Sequence, residues 1–478
     1  MANRRIGRGS SLAATAAAAT LLLAACGGGG GETTTTPAVE DTTEAAAPTT
    51  EETTEPTTEE TTEAPEETET TEAPEAGGDA VELEYIHRLP DGEGMTSVAE
   101  IVERWNADNP NIQVTSTKWD GAAAELQTKL ETDVNAGNPA CLAQVGYSEV
   151  PGLFVKGMFE DVTEYAGEYT GNFSDGTVAM MTVGGTVVGL PQDTGPLVYY
   201  YNAQAFEDNG LEVPTTTEEF VATAKAAAEN DVYTIAFQPD ETTFWTSALA
   251  ASAGASWYSS TESEWVVDTT SEESMIISDT LQDLYDSDAM LVLNRWGDEF
   301  GAALLDGSLI GHIGAAWEAP LLADTMQDAD SAGNWAVAQL PAWNGTPMSG
   351  PDGGSGIGVM KGCEFPAEAL EFANWFNTQI DDLVSQGLVV SATTGAMTTP
   401  DALSEFYGGQ DVFAELTTAN ENMNPAFPYI PGFASVMGTL NPVGAAAGDG
   451  SGTFAEIFET AQTASVQALQ DLNLPVQE

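Results

Sequence analysis

The sequence predicts an α/β protein carried behind a leader that takes no part in its fold. From about residue 80 onward, short β-like apolar runs alternate with runs of helical period, the pattern of an α/β domain. Residues 27–79, by contrast, contain almost nothing that could be buried. Charge narrows the function: 75 Asp+Glu stand against 11 Lys+Arg, a formal net charge of −64. Phosphate-rich partners such as nucleic acid are excluded, because no basic patch exists to displace their counterions. A strongly anionic ligand would need one of the few arginines set aside for it. The acidity suits a solvated surface in salty surroundings, where screening relieves self-repulsion; holding metal cations is the alternative.

In chain order, "MANRRIGRGS" is a basic n-region, and "SLAATAAAATLLLAA" is apolar but too short for a stable membrane span. It runs into "LAAC", Leu23 to Cys26. Small residues ahead of a cysteine resemble the lipobox of bacterial lipoproteins. That implies a signal peptide over 1–25, cleavage before Cys26, and lipid on its thiol and amine that anchors without spanning. Residues 26–79, with "TTEPTTEETTEAPEETETTEAPEAGG", cannot offset their ordering entropy, and their carboxylates repel. They are expected to form a disordered acidic tether. Sixteen acids lie in residues 27–79, leaving 59 acids against 8 basic residues from residue 80 onward. The acidity therefore belongs to the folded part as well. With Cys26 assigned to lipid, Cys141 and Cys363 remain as an even pair in an oxidising compartment; a disulfide is expected, with two free thiols as the alternative.

The globular part opens with "VELEYIH" (81–87) as a strand and "MTSVAEIVERWNADNP" (95–110) as an amphipathic helix stopped by Asn-Pro. "IQVTSTKW" (112–119) is a second strand, "AAAELQTKLETDVNAG" (122–137) a helix ending at glycine, and "CLAQVGY" (141–147) a third strand. Such a βαβαβ unit predicts a parallel sheet with ligand groups on the loops after the strands. Those loops hold "HRLPDGEG", then Trp119 and Asp120, then "GYSEVPG". "VVGLPQDTGPLVYYYN" (187–202) reads as two β segments meeting at a Pro-Gly break where the chain could cross between halves. Helix "TTEEFVATAKAAAEND" and strands "VYTIAFQ" and "IGHIGAAW" follow. A second break, "PAWNGTPMSGPDGGSG" (341–356), precedes strand "IGVMKG" and helix "PAEALEFANWFNTQ". This region shows no internal repeat and no transmembrane run.

Taken together, the lipobox and tether, "VVGLPQDTGPLVYYYN", "DGSLIGHIGAAWEAP", "SGPDGGSGIGVMKGC" and "GFASVMGTLN" resemble one family. It is the extracellular solute-binding lipoproteins of ABC sugar importers, family 1, the group that includes maltose-binding protein. The resemblance covers nearly all of residues 80–478. It implies a two-lobed α/β fold of type II with discontinuous lobes, one about 80–193 and 352–420, the other about 197–345 and 425–478. Hinge crossings are expected near Asp193, the Gly-rich break and Asn420. Ligand would sit between the lobes and be buried by hinge closure, then pass to permease subunits driven by a separate ATPase. No cofactor, metal or covalent chemistry is implied. The expected protein is a monomer at the extracellular face of the cell membrane, touching the membrane only through its lipid.

A pyranose has apolar C–H faces and a rim of hydroxyls, so its site needs flat aromatics and neutral or acidic hydrogen-bond partners. Trp317, at a strand end in "GAAWEAP", is the leading stacking platform, with core packing as the alternative. Glu318 beside it would bond hydroxyls or favour the following helix through its charge. Asp193 in "PQDTGP" is a candidate bidentate acceptor; a turn-forming aspartate is the other reading. Tyr147 and Glu149 follow the third strand, and His87 and Arg88 the first. Trp245 and Tyr429 are further aromatic candidates. The family often carries an aromatic ahead of "GGSG" where this chain has Asp352; Gly354 and Ser355 could offer backbone groups there or serve only as hinge. Ferric iron is a rival ligand, through "YYY" (199–201), and polyamine another. A glycoside hydrolase is the competitor from a different class, but the two histidines and the absence of nucleophile, zinc and phosphate-loop motifs leave it little support.

Overall fold

Eight strands organise the molecule: β1 Val81–His87, β2 Ile112–Lys118, β3 Leu142–Gly146, β4 Gly189–Asn202, β5 Gly311–Ala315, β6 Trp335–Ala338, β7 Pro351–Val359 and β8 Val389–Val390. They belong to a computed structural model that describes residues 80–477 other than 93–94, 122, 262, 328 and 426–428. The signal peptide, Cys26 and the tether lie outside the described residues. The sheet runs β5-β4-β7-β3-β1-β2, with β6 and β8 also paired to β4. Among the described residues no helix is long and apolar enough to cross a membrane.

The expected opening unit is present. β1 pairs in parallel with both β2 and β3, and helices Val98–Asp108 and Ala123–Ala136 connect them. Ser97 starts the first helix with a capping box: its hydroxyl accepts the Glu100 N–H, and the Glu100 carboxylate accepts the Ser97 N–H at 2.9 Å. Val98, Ile101, Val102 and Trp105 then form its buried stripe. β7 closes the group, antiparallel to β3. Cys141, just before β3, and Cys363, just after β7, form a disulfide with Cα atoms 4.6 Å apart across 222 residues of sequence.

At "PQDTGP" the structure differs from the expected break. β4 is one continuous strand of 14 residues, buried along almost its whole length, and what changes is its partner. Its first half pairs with β7 and β8, and Leu197–Asn202 pair with β5 and β6. Proline lacks the N–H a ladder needs. Pro191 and Pro196 sit beside the two register shifts of the β4–β7 pairing, where that loss is tolerated. Segments from the three expected crossings are hydrogen-bonded to one another here. Thr194 donates its hydroxyl to Asn420 at 2.7 Å, Ser349 donates its hydroxyl to the Leu197 carbonyl at 2.8 Å, and Ser349 N–H bonds Asn422 O.

Two expectations need correction. Residues 401–420 were assigned to the first lobe, yet Leu403, Phe406, Val412 and Leu416 share a buried cluster with Val198, Tyr200, Phe300 and Trp335. The apolar faces of helices Asp401–Phe406 and Val412–Glu421 thus pack on elements expected in the second lobe. The "YYY" phenols are likewise not arranged as ligands. Tyr199 and Tyr200 are fully buried and donate to the carbonyls of Thr234 (3.1 Å) and Ala315 (2.8 Å). Burial pushes both hydroxyls well above their usual range, so neither is a ready phenolate.

Candidate functional site

Polar side chains on three adjacent strands, β3, β7 and β4, meet where apolar ones would be expected. A buried polar group costs stability unless it is bonded, and these are bonded to one another. Gln144 donates to Gln192 and to Ser355, each at 3.1 Å, and accepts the Arg88 N–H at 2.7 Å. Gln192 passes the chain on to Asn377 at 3.0 Å. The Ser355 hydroxyl donates to the Asp193 carboxylate. Burial raises Asp193 to about 6, against the opposing pull of the Ser355 bonds and of Arg88.

Tyr147 ties this centre to the neighbouring strand. Its N–H bonds the Gly354 carbonyl at 3.2 Å and its hydroxyl donates to the Asp193 carbonyl at 2.9 Å. Gly353 and Gly354 have φ of +94° and +90°, the left-handed region that favours glycine. A Cβ on Gly354 would fall 2.8 Å from the Tyr147 ring, and one on Gly353 would fall 3.2 Å from Trp317 Nε1. The glycine pair is therefore the gap into which the two aromatics close from opposite sides.

Trp317 sits two residues beyond the end of β5, in the short turn Ala316–Glu318 that enters helix Ala319–Met326. It is half-buried, and its indole N–H donates to the Asp352 carbonyl at 2.9 Å. Arg295 lies over the ring, its guanidinium carbon 4.7 Å from the centroid. Arg295 also pairs with Glu318 and, at 2.9 Å, with Asp352. Its own N–H bonds Asp240 at 2.9 Å. Next to it, Trp296 holds a left-handed φ of 55°, an unusual conformation for a bulky residue.

This cluster reassigns two expected ligand groups. Glu318 is fully buried, and its oxygens are spent on Arg295, on His312 at 2.9 Å and on the Ala315 N–H at 2.8 Å. Burial alone would raise its pKa, but Arg295 and then His312 outweigh it and hold the carboxyl at about 2. It braces the turn under Trp317, and its full burial keeps its oxygens from a ligand hydroxyl. Asp352 is 3 % exposed and its carboxylate faces Arg295; burial raises it against that arginine's pull.

The remaining candidates separate clearly. Arg88 and Glu149 form a two-point ion pair at 3.1 and 3.2 Å across the ends of β1 and β3. His87 is buried beside Tyr85, ring centroids 5.4 Å apart, and burial first, then Lys118, lower it to about 4. Trp245 was expected at the ligand but is core: it is fully buried, donates to the Ile313 carbonyl at 3.0 Å and packs edge-on to Phe237. Tyr429 packs on Phe433, 5.1 Å between centroids, and lines a cavity of about 430 Å³ together with Tyr147.

Arg295, Gln144 and Gln192 escaped the sequence reading. Gln144 did leave a signal, being a long polar residue inside an otherwise apolar strand run, whereas Gln192 stands between Pro191 and Asp193 in a polar stretch. Arg295 left none, because its partners are 23 to 57 residues away. In sum, Asp193, Ser355, Tyr147, Gly354, Asp352 and Trp317 come together around one stretch of β7.

The sequence model of the bacterial extracellular solute-binding proteins matches residues 90–379. Among solved structures, the galacto-N-biose/lacto-N-biose I-binding protein of an ABC transporter from Bifidobacterium longum is 48% identical. It aligns with a TM-score of 0.80 over 84% of this chain and 100% of that one. The β-1,6-galactobiose-complexed binding protein from B. animalis subsp. lactis is 18% identical, with a TM-score of 0.69 over 84% of this chain and 100% of that one. Its likeness speaks to the two-lobed α/β fold. A lactose-binding protein of Rhizobium radiobacter is 22% identical over 339 residues, 66% of this chain and 76% of the relative. The family is one of binding proteins and not of enzymes. By the family match and by its likeness to the B. longum protein along that protein's whole length, the chain belongs to the bacterial extracellular solute-binding proteins.

Proposed function

We propose that the protein captures a neutral di- or oligosaccharide between its lobes and delivers it to an ABC importer, held at the cell surface by lipid on Cys26. The observation that carries the reading is the 48% identity to a relative whose structure was solved with lacto-N-biose. The chemistry of the cleft supports it. Aromatic rings and hydroxyls line the 430 Å³ cavity, no lysine or arginine is among its described lining residues, and its volume suits a small ligand. Trp317, Tyr147, Tyr429, Asp193, Gly354 and Ser355 are the proposed ligand contacts, with the Arg88–Glu149 pair at the rim. Ligand that meets both lobes binds the closed form better than the open one, and that difference drives closure.

Titration calorimetry with lacto-N-biose, galacto-N-biose, lactose and maltose, with ferric iron and spermidine as controls, tests the reading. Heat is expected from at least one galactose-containing disaccharide and none from the controls. Trp317→Ala should weaken that binding at least about tenfold, the order of one lost aromatic contact, with little change in melting temperature. Heat from iron or spermidine alone would overturn the saccharide reading, and unchanged affinity in the variant would move the site away from Trp317.

A further inference from the structure

We infer that the strand Val476–Gln477 is part of the binding apparatus: it holds Trp265 in the cavity wall as an outer sugar platform and so sets the length of saccharide accepted. The inference rests on the saccharide reading and adds a determinant of ligand length to it.

The cavity has two walls. Tyr147 and Phe154 stand on one, and Trp265, Tyr429, Leu474 and Pro475 on the other. Tyr147 lines the cavity and its hydroxyl also bonds the Asp193 carbonyl, so this one ring links the polar centre to the cavity wall. A sugar held at Asp193 would therefore carry its next unit past Tyr147 toward Trp265.

Trp265 starts the three-residue strand Trp265–Val267, which pairs with the equally short Tyr258–Ser260. A two-stranded hairpin of that length does not hold its own shape in water. Its other edge is filled by Val476–Gln477, which pairs in parallel with Trp265 and Val266. The Trp265 N–H donates to the Pro475 carbonyl at 2.9 Å, and the Leu474 N–H to Leu469 in helix Phe454–Asp471. Trp265 is half-buried and is the tryptophan of the cavity lining, whereas Trp317 has its N–H committed and Trp245 is core. The hairpin tip beside it offers the hydroxyls of Ser260 and Ser263 and the carboxylate of Glu264, while the Thr261 hydroxyl is spent inside the turn on the Glu264 carbonyl and on the Ser263 and Glu264 N–H groups. An aromatic face rimmed by hydroxyls and an acid, with no cation, is the chemistry that recognises a neutral sugar.

The test measures calorimetric affinity for lacto-N-biose and for lacto-N-biose extended by one or two hexoses at either end. Wild type is compared with Trp265→Ala, Trp265→Phe and a chain stopped after Asn473. Trp265→Ala and the stopped chain should each lose about tenfold in affinity for an extended ligand and less than about threefold for the disaccharide, with Trp265→Phe restoring most of the loss. Equal losses for short and long ligands, or none for either, would overturn the inference while leaving the saccharide reading intact. Absence of binding by wild type to every saccharide would remove both. Should the stopped chain fail to fold, the two Trp265 variants decide.

Discussion

At Asp193, a carboxylate lies buried in the polar centre with a serine hydroxyl donated to it. Its folded pKa of about 6 stands above the ordinary 3.8, so the folded state holds its proton more tightly than the unfolded chain. The sign follows: this group's contribution falls as pH rises from about 4 to about 6 and is level above that. Asp193→Asn keeps an acceptor for Ser355 without the charge. Its stability relative to wild type should therefore increase across that window, by on the order of 2–3 kcal/mol. Urea unfolding at a series of pH values reads this directly, and a difference independent of pH would mean that Asp193 is not held protonated. Burial raises Glu241 in the same direction, to about 7, so the difference between the two proteins is the quantity to compare. Glu318 runs the other way. Held at about 2, it stabilises fully above its ordinary 4.5 and loses that contribution as pH falls toward 2.

Among the elements, β7 does most to assemble the site. It runs between β3 and β4, carries Asp352 to Arg295 and Ser355 to Asp193, and offers the Gly354 carbonyl to Tyr147. Its two left-handed glycines bend it enough for Tyr147 and Trp317 to close on the backbone. Gly354→Ala would need both an unfavourable φ and room that the Tyr147 ring occupies. A loss of about 1–3 kcal/mol in stability is expected, with weaker ligand binding alongside. Thermal melts and calorimetry on that variant check it; wild-type values in both would show that the close approach is unimportant. β4 plays the complementary part, as one strand that changes partners along its length.

Charge acts on the molecule as a whole. From residue 80 onward 59 acids stand against 8 basic residues, which places like charges close together over the folded part, and salt screens their repulsion. The melting temperature should accordingly climb with added NaCl. A melting temperature that did not move with NaCl would point to a specific cation role for the carboxylates. The disulfide between Cys141 and Cys363 joins the start of β3 to the segment after the end of its antiparallel neighbour β7.

Period and punctuation in the sequence were enough to determine the α/β class, the parallel β1–β2–β3 unit, the helix starts and the position of Trp317 just past a strand. Those features depend on neighbours within a turn or a strand, so local residue order specifies them. The fate of each site residue depended on distant partners. Glu318 and Asp352 look like free acids until Arg295 arrives, and Trp245 looks like a platform until Ile313 and Phe237 enclose it. The grouping of residues 401–420 and the continuity of β4 were likewise settled by which apolar faces pack together. Burial and charge pairing are properties of the assembled chain, and only the tertiary structure decides which carboxylate is spent and which aromatic still faces the cleft.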